Sequence, residues 1–227
     1  MPERKARRYH RLRNLHEYIT IPEAPKPMAD LEGAILAGGE SRRMGQDKAL
    51  LPIGGRTLLE AIADALRPLV ERIRVVGREP APGLPLRNAQ PDLCPGHGPL
   101  SGIHAALATA EAGRVLVVAC DLPLVTTAFL RGLVEALAPE LDAVVPCPAG
   151  TPVAVCAVYR TACLRYIEER LARGELAAGD FAKSLNARFL DDADLERLDP
   201  SGRCLLNLNT PVDYERAREI LGNESKT

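Results

Sequence analysis

A loop rich in glycine and basic side chains follows the first predicted strand of this 227-residue chain. Gly38 and Gly39 lack a Cβ atom, so their backbone N–H groups can approach phosphate oxygens closely. Arg42, Arg43 and Lys48 can neutralise phosphate charge, and an arginine can fork across two oxygens. The spacing is neither that of a P-loop nor G-x-G-x-x-G. The composition favours a polyphosphate site, and the alternative is a mobile surface loop whose basic side chains are merely solvated.

A single carboxylate, Asp121, follows a buried apolar run and precedes Leu122 and Pro123. At the end of a strand, this side chain would project into a crevice rather than into the core. Mg²⁺ takes oxygen ligands and bridges phosphates, so Asp121 opposite a basic glycine loop is a candidate metal ligand. The alternative role, a helix cap, is better filled by Thr126 or Thr127.

Two further segments offer polar groups to the same crevice. Asp92–Gly102 is rich in turn-forming residues and leads into a predicted helix, whose N-terminus suits an anion or a flat ring. Asn207 and Asn209 are separated by one residue, so in an extended segment their side chains face the same way. Their amide oxygens could meet a metal or a substrate. In the alternative, Asn209 and Thr210 form only the turn and cap of the last helix.

The elements that must position these loops alternate between strand and helix patterns from Leu31 onward. Short apolar runs predict strands at Leu31–Ala37, Ile73–Val76, Arg114–Ala119, Ala143–Val145 and Val153–Val158. Helices are predicted to begin at Thr57, which forms a capping box with Glu60, at Thr127 and at Thr210. The alternation predicts an α/β fold: a single Rossmann-like, three-layer domain with a mostly parallel twisted sheet and helices on both faces. In such sheets ligands bind at the carboxyl ends of the strands, where the loops described above begin.

Composition excludes several classes of function. Apolar residues make up 46% of the chain and charged residues 26%, which is typical of a globular protein. The net charge of −1 excludes a polyanion-binding surface over the whole protein, and the absence of Trp with 4% aromatic residues leaves few platforms for stacking bases. We therefore expect no nucleic-acid partner. No apolar run is long enough to span a membrane, and the six cysteines lack C-x-x-C spacing, which favours structural thiols in a reducing cytoplasm.

The first thirty residues differ from the rest. A basic run between Arg4 and Arg13 precedes a proline-rich stretch, which predicts a solvated, flexible extension over residues 1–30 and leaves a single α/β domain over residues 31–227. The alternatives are a phosphate-binding arm, an organelle presequence, or a natural start at Met28. The N-terminus has no apolar segment of the kind found in signal peptides, which again favours the cytoplasm.

Four motifs occur in a characteristic order. They are Leu-Ala-Gly-Gly followed by Ser-Arg-Arg-Met-Gly-Gln-Asp-Lys, then Gly-Pro-Leu-Ser-Gly-Ile, Cys-Asp-Leu-Pro and Asn-Leu-Asn-Thr-Pro. With these motifs the chain resembles the molybdenum cofactor guanylyltransferase family of nucleotidyltransferases, which has a glycosyltransferase-A-like fold. The resemblance extends from about Leu31 to Leu221.

The resemblance implies roles for individual residues. Contacts to the guanine nucleotide would come from Leu36, Ala37, Gly38, Gly39, Lys48, Asp92 and Asp121. Asp121 would also bind Mg²⁺, and Asn207 and Asn209 would lie near the pterin substrate or the metal. Lys48, Asp121, Arg42 and Arg43 would form the catalytic set, because they can offset the repulsion between two phosphate groups. In some members of the family, an Asn after the second strand contacts the nucleotide; Gly77 stands at that position here, so this side-chain contact is absent.

The implied activity is transfer of GMP from GTP to the phosphate of molybdopterin, with release of pyrophosphate. Related cytidylyltransferases resemble Leu-Ala-Ala-Gly in the first loop, whereas Leu36-Ala37-Gly38-Gly39 stands here, which favours GTP. The alternatives are a cytidylyl- or sugar-phosphate nucleotidyltransferase of the same fold and a non-catalytic carrier of nucleotide or cofactor. Molybdoenzymes or cofactor-insertion proteins are expected as transient partners.

Overall fold

The structure is a computed structural model that describes residues 27–38, 47–79, 89–91, 93 and 98–224, with side chains as far as residue 221. Within these ranges, seven strands form one sheet in the order β5-β4-β1-β6-β8-β7-β9. The strands of this sheet are β1 (Leu31–Leu36), β4 (Ile73–Val76), β5 (Ala89–Gln90), β6 (Arg114–Ala119), β7 (Ala143–Pro146), β8 (Cys156–Arg160) and β9 (Ala187–Leu190). A small antiparallel hairpin of β2 (Pro52–Ile53) and β3 (Arg56–Thr57) lies apart from it.

The sheet is mostly parallel, as predicted. Strand β1 pairs in parallel with β4 and β6, and β5 and β9 also join in parallel. Only β8, between β6 and β7, runs antiparallel to its neighbours within the described residues. Every residue of β1 is buried, which is why its sequence is a continuous apolar run apart from Glu32 and Gly33.

The prediction of a strand at Val153–Val158 is wrong for the first half of that range. Residues before Cys156 form a turn, closed by a 3.0 Å hydrogen bond from the Cys156 amide to the Val153 carbonyl, and the strand continues to Arg160. Ala154, inside the turn, is only 4% exposed. A buried turn has the same apolar composition as a buried strand, so hydrophobicity alone could not separate them.

Helices cover both faces of the sheet and form the three layers that the sequence predicts. The helices are α1 (Leu58–Leu66), α2 (Pro99–Ala108), α3 (Thr127–Glu135), α4 (Leu164–Ala172), α5 (Ala178–Lys183), α6 (Asp192–Leu198) and α7 (Pro211–Glu224). Ile35 of β1 packs with α1 and α3 in one core, whereas Ala34 and Leu36 pack with α2, α4 and α5 in the other. Opposite faces of one strand therefore hold the two helix layers.

The predicted helix starts are present. Thr57 and Glu60 form the capping box of α1, with the Glu60 carboxylate 2.7 Å from the Thr57 amide nitrogen. Thr126 accepts a hydrogen bond from the Phe129 amide at the start of α3, and Thr210 accepts one at 3.2 Å at the start of α7. Among the described residues, no helix is both long and apolar enough to cross a membrane.

Candidate active site

The carboxyl ends of three parallel strands meet at one edge of the sheet. Leu36, the last residue of β1, is in register with Val76 of β4 and with Ala119 of β6. Beyond the strands, the Ala37 amide donates to the Val76 carbonyl at 2.8 Å, and the Cys120 amide donates to the Leu36 carbonyl at 2.9 Å. The glycine loop therefore begins between the loops that follow β4 and β6, where the sequence predicts ligand binding.

Two glycines let the first two of these loops approach each other. A Cβ atom on Gly38 would lie 2.8 Å from both the Cα atom and the carbonyl oxygen of Gly77. Gly77 itself has a φ of 89°, in the left-handed region that disfavours other residues. Glycine at position 77 suits both this backbone conformation and the close approach of Gly38.

Lys48 and Asp121 form an ion pair at this edge of the sheet. The Lys48 Nζ atom lies 3.5 Å from Asp121 Oδ2, and the two side chains are 17% and 27% exposed, respectively. The other carboxylate oxygen, Asp121 Oδ1, is buried and has no hydrogen-bond partner among the described residues. A buried oxygen without a partner is costly, so the site has an unfilled capacity for a cation or a hydrogen-bond donor.

The chemistry of the Asp121 carboxylate fits a magnesium ion that is shared with other oxygen ligands. Within the described residues no group of three or more His, Cys, Asp or Glu side chains could hold a metal ion. Mg²⁺ is commonly bound by one or two carboxylates while phosphate oxygens and water fill the other positions. The buried, unpartnered Oδ1 of Asp121 suits such a shared site and does not suit an all-protein cage.

A short 3-10 turn, Lys48–Leu50, holds the lysine at this edge. Asp47 caps the turn by accepting a hydrogen bond from the Ala49 amide at 3.1 Å, and Ala49 is buried. Arg78, two residues after β4, forms an ion pair with Asp47. The sequence reasoning missed both residues: Asp47 has the type and position of a cap, but no local signal links it to Arg78.

Asn207 and Asn209 also lie at this edge. The Leu208 amide donates to the Asp121 carbonyl at 2.9 Å, which fixes the segment beside the metal-ligand candidate. Leu208 is buried while both asparagines are exposed, so their side chains share one face, as the spacing predicts. Thr210 caps α7, and the Asn209 amide donates to Asp213, so the alternative role in the turn is also present.

The remaining residues that are predicted to contact the nucleotide differ in their exposure to solvent. Gly38 is exposed, Ala37 is half-buried and Leu36 is buried, with its side chain packed against Gly102 of α2. Leu36 and Ala37 use their carbonyl and amide groups, respectively, in the sheet edge, so their main effect is to place Gly38. Four other candidates lie outside the described residues, and their roles remain predictions: Gly39, Arg42, Arg43 and Asp92.

Cys120, beside Asp121, is not an activated nucleophile. Burial raises the pKa of its thiol to about 12, and the negative charge of Asp121 adds to the effect. The thiolate is the reactive form of cysteine, so a thiol that stays neutral near pH 7 is inert. Together with the other described cysteines, all of which are free, Cys120 behaves as the sequence predicts for a structural thiol.

The fold is that of an α/β nucleotidyltransferase. Molybdopterin-guanine dinucleotide biosynthesis protein A from Archaeoglobus fulgidus superposes with a TM-score of 0.72 at 28% identity, over 85% of this chain and 99% of that one. The fold also matches 2-C-methyl-D-erythritol 4-phosphate cytidylyltransferase from Thermus thermophilus, with a TM-score of 0.62 at 23% identity, over 86% of this chain and 100% of that one.

Sequence comparison gives the particular family. Residues 33–188 match the MobA-like NTP transferase domain, and the chain belongs to that family. It is 36% identical to a probable molybdenum cofactor guanylyltransferase of Pelotomaculum thermopropionicum, over 88% of this chain and 97% of that protein. It is also 31% identical to the molybdenum cofactor guanylyltransferase of Desulfosudis oleivorans, over 86% of this chain and 97% of that protein. The resemblance drawn from the four motifs is confirmed.

Proposed function

We propose that the protein transfers GMP from GTP to the phosphate of molybdopterin and so forms the guanine dinucleotide form of the molybdenum cofactor. The observation that supports this most directly is the pairing of Lys48 with Asp121 at the carboxyl ends of β1 and β6, at 3.5 Å, in a chain of this family. The names of the relatives supply the two substrates.

In the proposed reaction, a phosphate oxygen of molybdopterin attacks the α-phosphorus of GTP. A new P–O bond forms as the bond from the α-phosphorus to the bridging oxygen breaks, and pyrophosphate leaves with the electron pair. The attacking phosphate is already anionic near neutral pH, so no protein nucleophile is needed, in keeping with the inert Cys120 thiol. The task of the protein is to bring two polyanions together.

The charges at the strand ends serve that task. Two like unit charges about 4 Å apart repel by about 4 kcal/mol at an effective dielectric near 20. Lys48 would place its ammonium group against the leaving phosphates, and Arg42 and Arg43 would add positive charge from the same loop. Asp121 would hold Mg²⁺ through Oδ1, the buried oxygen for which the described residues provide no hydrogen-bond partner. When bound, Mg²⁺ neutralises phosphate charge and orients the oxygens for in-line displacement.

The glycine pair favours a close approach of the nucleotide to the backbone. Gly38 is exposed and packs on Gly77 without room for a methyl group between them. Backbone N–H groups of a glycine loop can therefore meet phosphate or base directly, which supports GTP over the CTP of enzymes with Leu-Ala-Ala-Gly. Asn207 and Asn209, on the Asp121 side, would meet the pterin substrate or the metal.

We also propose a cellular compartment and partners for the reaction. Cys120, Cys147, Cys156, Cys163 and Cys204 are free, which supports a reducing cytoplasm. We propose that the product passes to molybdoenzymes or cofactor-insertion proteins through transient contacts, and that neither nucleic acid nor a membrane is a partner.

The test is to incubate the protein with Mg²⁺, molybdopterin and each nucleoside triphosphate in turn, and to measure pyrophosphate. We expect release with GTP, dependent on both molybdopterin and Mg²⁺. The control is Asp121→Asn, which keeps the size of the side chain and removes its charge. Pyrophosphate release with CTP but with no other nucleoside triphosphate would indicate a cytidylyltransferase. Release with a sugar phosphate in place of molybdopterin would indicate a sugar-phosphate nucleotidyltransferase. GTP binding in a calorimeter without any pyrophosphate would indicate a carrier.

A further inference from the structure

Arg78 is a charged residue beside the carboxyl end of β4, and it has no assigned role in the proposed reaction. Its side chain is 17% exposed, and its guanidinium contacts both oxygens of the Asp47 carboxylate. Nη1 lies 3.3 Å from Oδ1, and Nη2 contacts Oδ2. An arginine that forks across both oxygens of a carboxylate fixes the orientation of that carboxylate as well as its position.

The same carboxylate holds the turn that contains Lys48. Asp47 Oδ1, one of the two oxygens held by Arg78, accepts the Ala49 amide at 3.1 Å. The Asp47 carbonyl accepts the Leu50 amide at 3.1 Å, and the Lys48 carbonyl accepts the Leu51 amide at 3.1 Å. The orientation of the Asp47 side chain is therefore coupled to the backbone from which the lysine projects.

Arg78 is itself fixed to the sheet. The amides of Gly77 and Arg78 both donate to the Gln90 carbonyl, at 2.9 and 3.2 Å. A continuous path of contacts leads from β4 through Arg78 and Asp47 to the Lys48–Asp121 pair.

We propose that Arg78 is a positioning residue for Lys48, acting through Asp47 by fixing the turn that directs the lysine ammonium toward Asp121. This assignment rests on the proposed function for its kinetic consequence, because it concerns how Lys48 is held during transfer. Misplacement of a reacting group by about 1 Å can cost about a hundredfold in rate. A flexible Lys48 turn should therefore lower turnover even though Arg78 need not contact the substrate.

The kinetic test compares Arg78→Met in two backgrounds under single-turnover conditions. With Lys48 present, we expect the substitution to lower kcat/KM for GTP by about tenfold to a hundredfold. In a Lys48→Ala background we expect almost no further loss, because the residue that Arg78 positions is gone. Equal losses in both backgrounds would overturn the proposal, since they would mean that Arg78 acts on nucleotide or fold independently of Lys48. Arg78→Lys, which keeps the charge without the fork, should restore only part of the rate.

Arg170 provides a matched control. It is 14% exposed, forms an ion pair at 3.0 Å with Glu175, and belongs to α4 rather than to the strand-end loops. Like Arg78, it has a buried Nε that finds no hydrogen-bond partner in the part of the chain that the structure describes. Arg170→Met should retain wild-type turnover. A loss equal to that of Arg78→Met would mean that removing any half-buried ion pair is sufficient, and would overturn the proposal.

A structural measurement separates this proposal from the proposed function. In a crystal structure of Arg78→Met without substrate, we expect Lys48 Nζ to have moved from its 3.5 Å contact with Asp121 to beyond salt-bridge distance. An unmoved Lys48 would overturn the positioning role whatever the enzyme catalyses. If Arg78→Met does not fold, Asp47→Asn removes the same ion pair with an isosteric side chain, and the same two outcomes apply. A wild-type protein inert toward GTP would reject the proposed function alone.

Discussion

Alanine at position 38 should impair GTP use because the added methyl group has no room. The Cβ atom would lie 2.8 Å from both the Cα atom and the carbonyl oxygen of Gly77. Carbon atoms at optimal separation are about 3.5–4.0 Å apart, so the two strand ends must separate by roughly 0.7–1.2 Å. Neither contact is with a flexible side chain, so the backbone itself must move.

The size of the effect follows from that displacement. Overpacking of this kind typically costs about 1–3 kcal/mol. For a chain of this size each kcal/mol lowers the melting temperature by about 2–4 °C, so we expect a fall of about 2–12 °C. Because Gly38 begins the proposed phosphate loop, a shift of about 1 Å should also lower kcat/KM for GTP by about tenfold to a hundredfold.

The assay is pyrophosphate release with GTP, Mg²⁺ and molybdopterin, run beside thermal unfolding. Gly179→Ala is the matched control, because nothing lies within 4 Å of its would-be Cβ atom and the residue belongs to helix α5. Alanine in a helix is about 0.5–1 kcal/mol more favourable than glycine, so this variant should be as stable as the wild type or more so, with unchanged GTP affinity.

Two results would refute the reasoning about Gly38. Unchanged turnover and melting temperature in Gly38→Ala would mean that the contact with Gly77 does not constrain the loop. A gain of CTP use at full stability would mean that the methyl group selects the base directly, as Leu-Ala-Ala-Gly enzymes would suggest, rather than by displacing the strand ends.

Substitutions at four further positions test the charges of the site and the hydrogen bonds that stabilise the fold. Lys48→Ala and Asp121→Ala should each lower turnover at least about a hundredfold, the scale for removing a preorganised charge; near-normal steady-state rates would reject both assignments. Thr57→Ala removes the capping box of α1 and should cost about 1 kcal/mol, or about 2–4 °C of melting temperature, and Thr57→Ser should restore most of it. Partial burial of Asp199 opposes its ionisation, but hydrogen bonds from Ser201 and from the Cys204 amide outweigh burial and lower its pKa. The ionised Asp199 side chain therefore stabilises the folded protein at pH values above about 3.9, its pKa in the unfolded chain. This stabilisation is lost as the pH falls through the lower pKa of the folded protein. The melting curves of the wild type and of Asp199→Asn should therefore converge in strong acid. A difference in melting temperature between the two proteins that stays constant into strong acid would contradict this role of Asp199.

The sequence alone was sufficient for the fold class and for the edge of the sheet that holds the site. Periodic apolar runs predict buried strands and amphipathic helices, and parallel strands place their carboxyl ends together. The proximity of Lys48 to Asp121 follows from that rule, although they are 73 positions apart in the chain. The helix caps at Thr57, Thr126 and Thr210 were also predictable, because a cap depends on residues within one turn.

The direction and length of β8 were decided by tertiary structure. The apolar run from Val153 contains a buried turn as well as a strand, and local composition is the same for both. That β8 pairs antiparallel with both β6 and β7 depends on how the chain enters the sheet after that turn. No periodicity in the run contains this information.

Contacts between the strand-end loops were likewise beyond the sequence. The spacing of residues identifies Gly38 and Lys48 as candidates for binding phosphate. It does not predict that the backbone of Gly77 packs against Gly38. Nor does it predict the ion pair between Arg78 and Asp47 beside Lys48. These contacts join residues 31 or more positions apart, and they exist only because β1 and β4 are neighbours in the sheet. Local residue preferences determine which elements form, whereas the packing of distant strands determines which side chains and glycines meet at their ends.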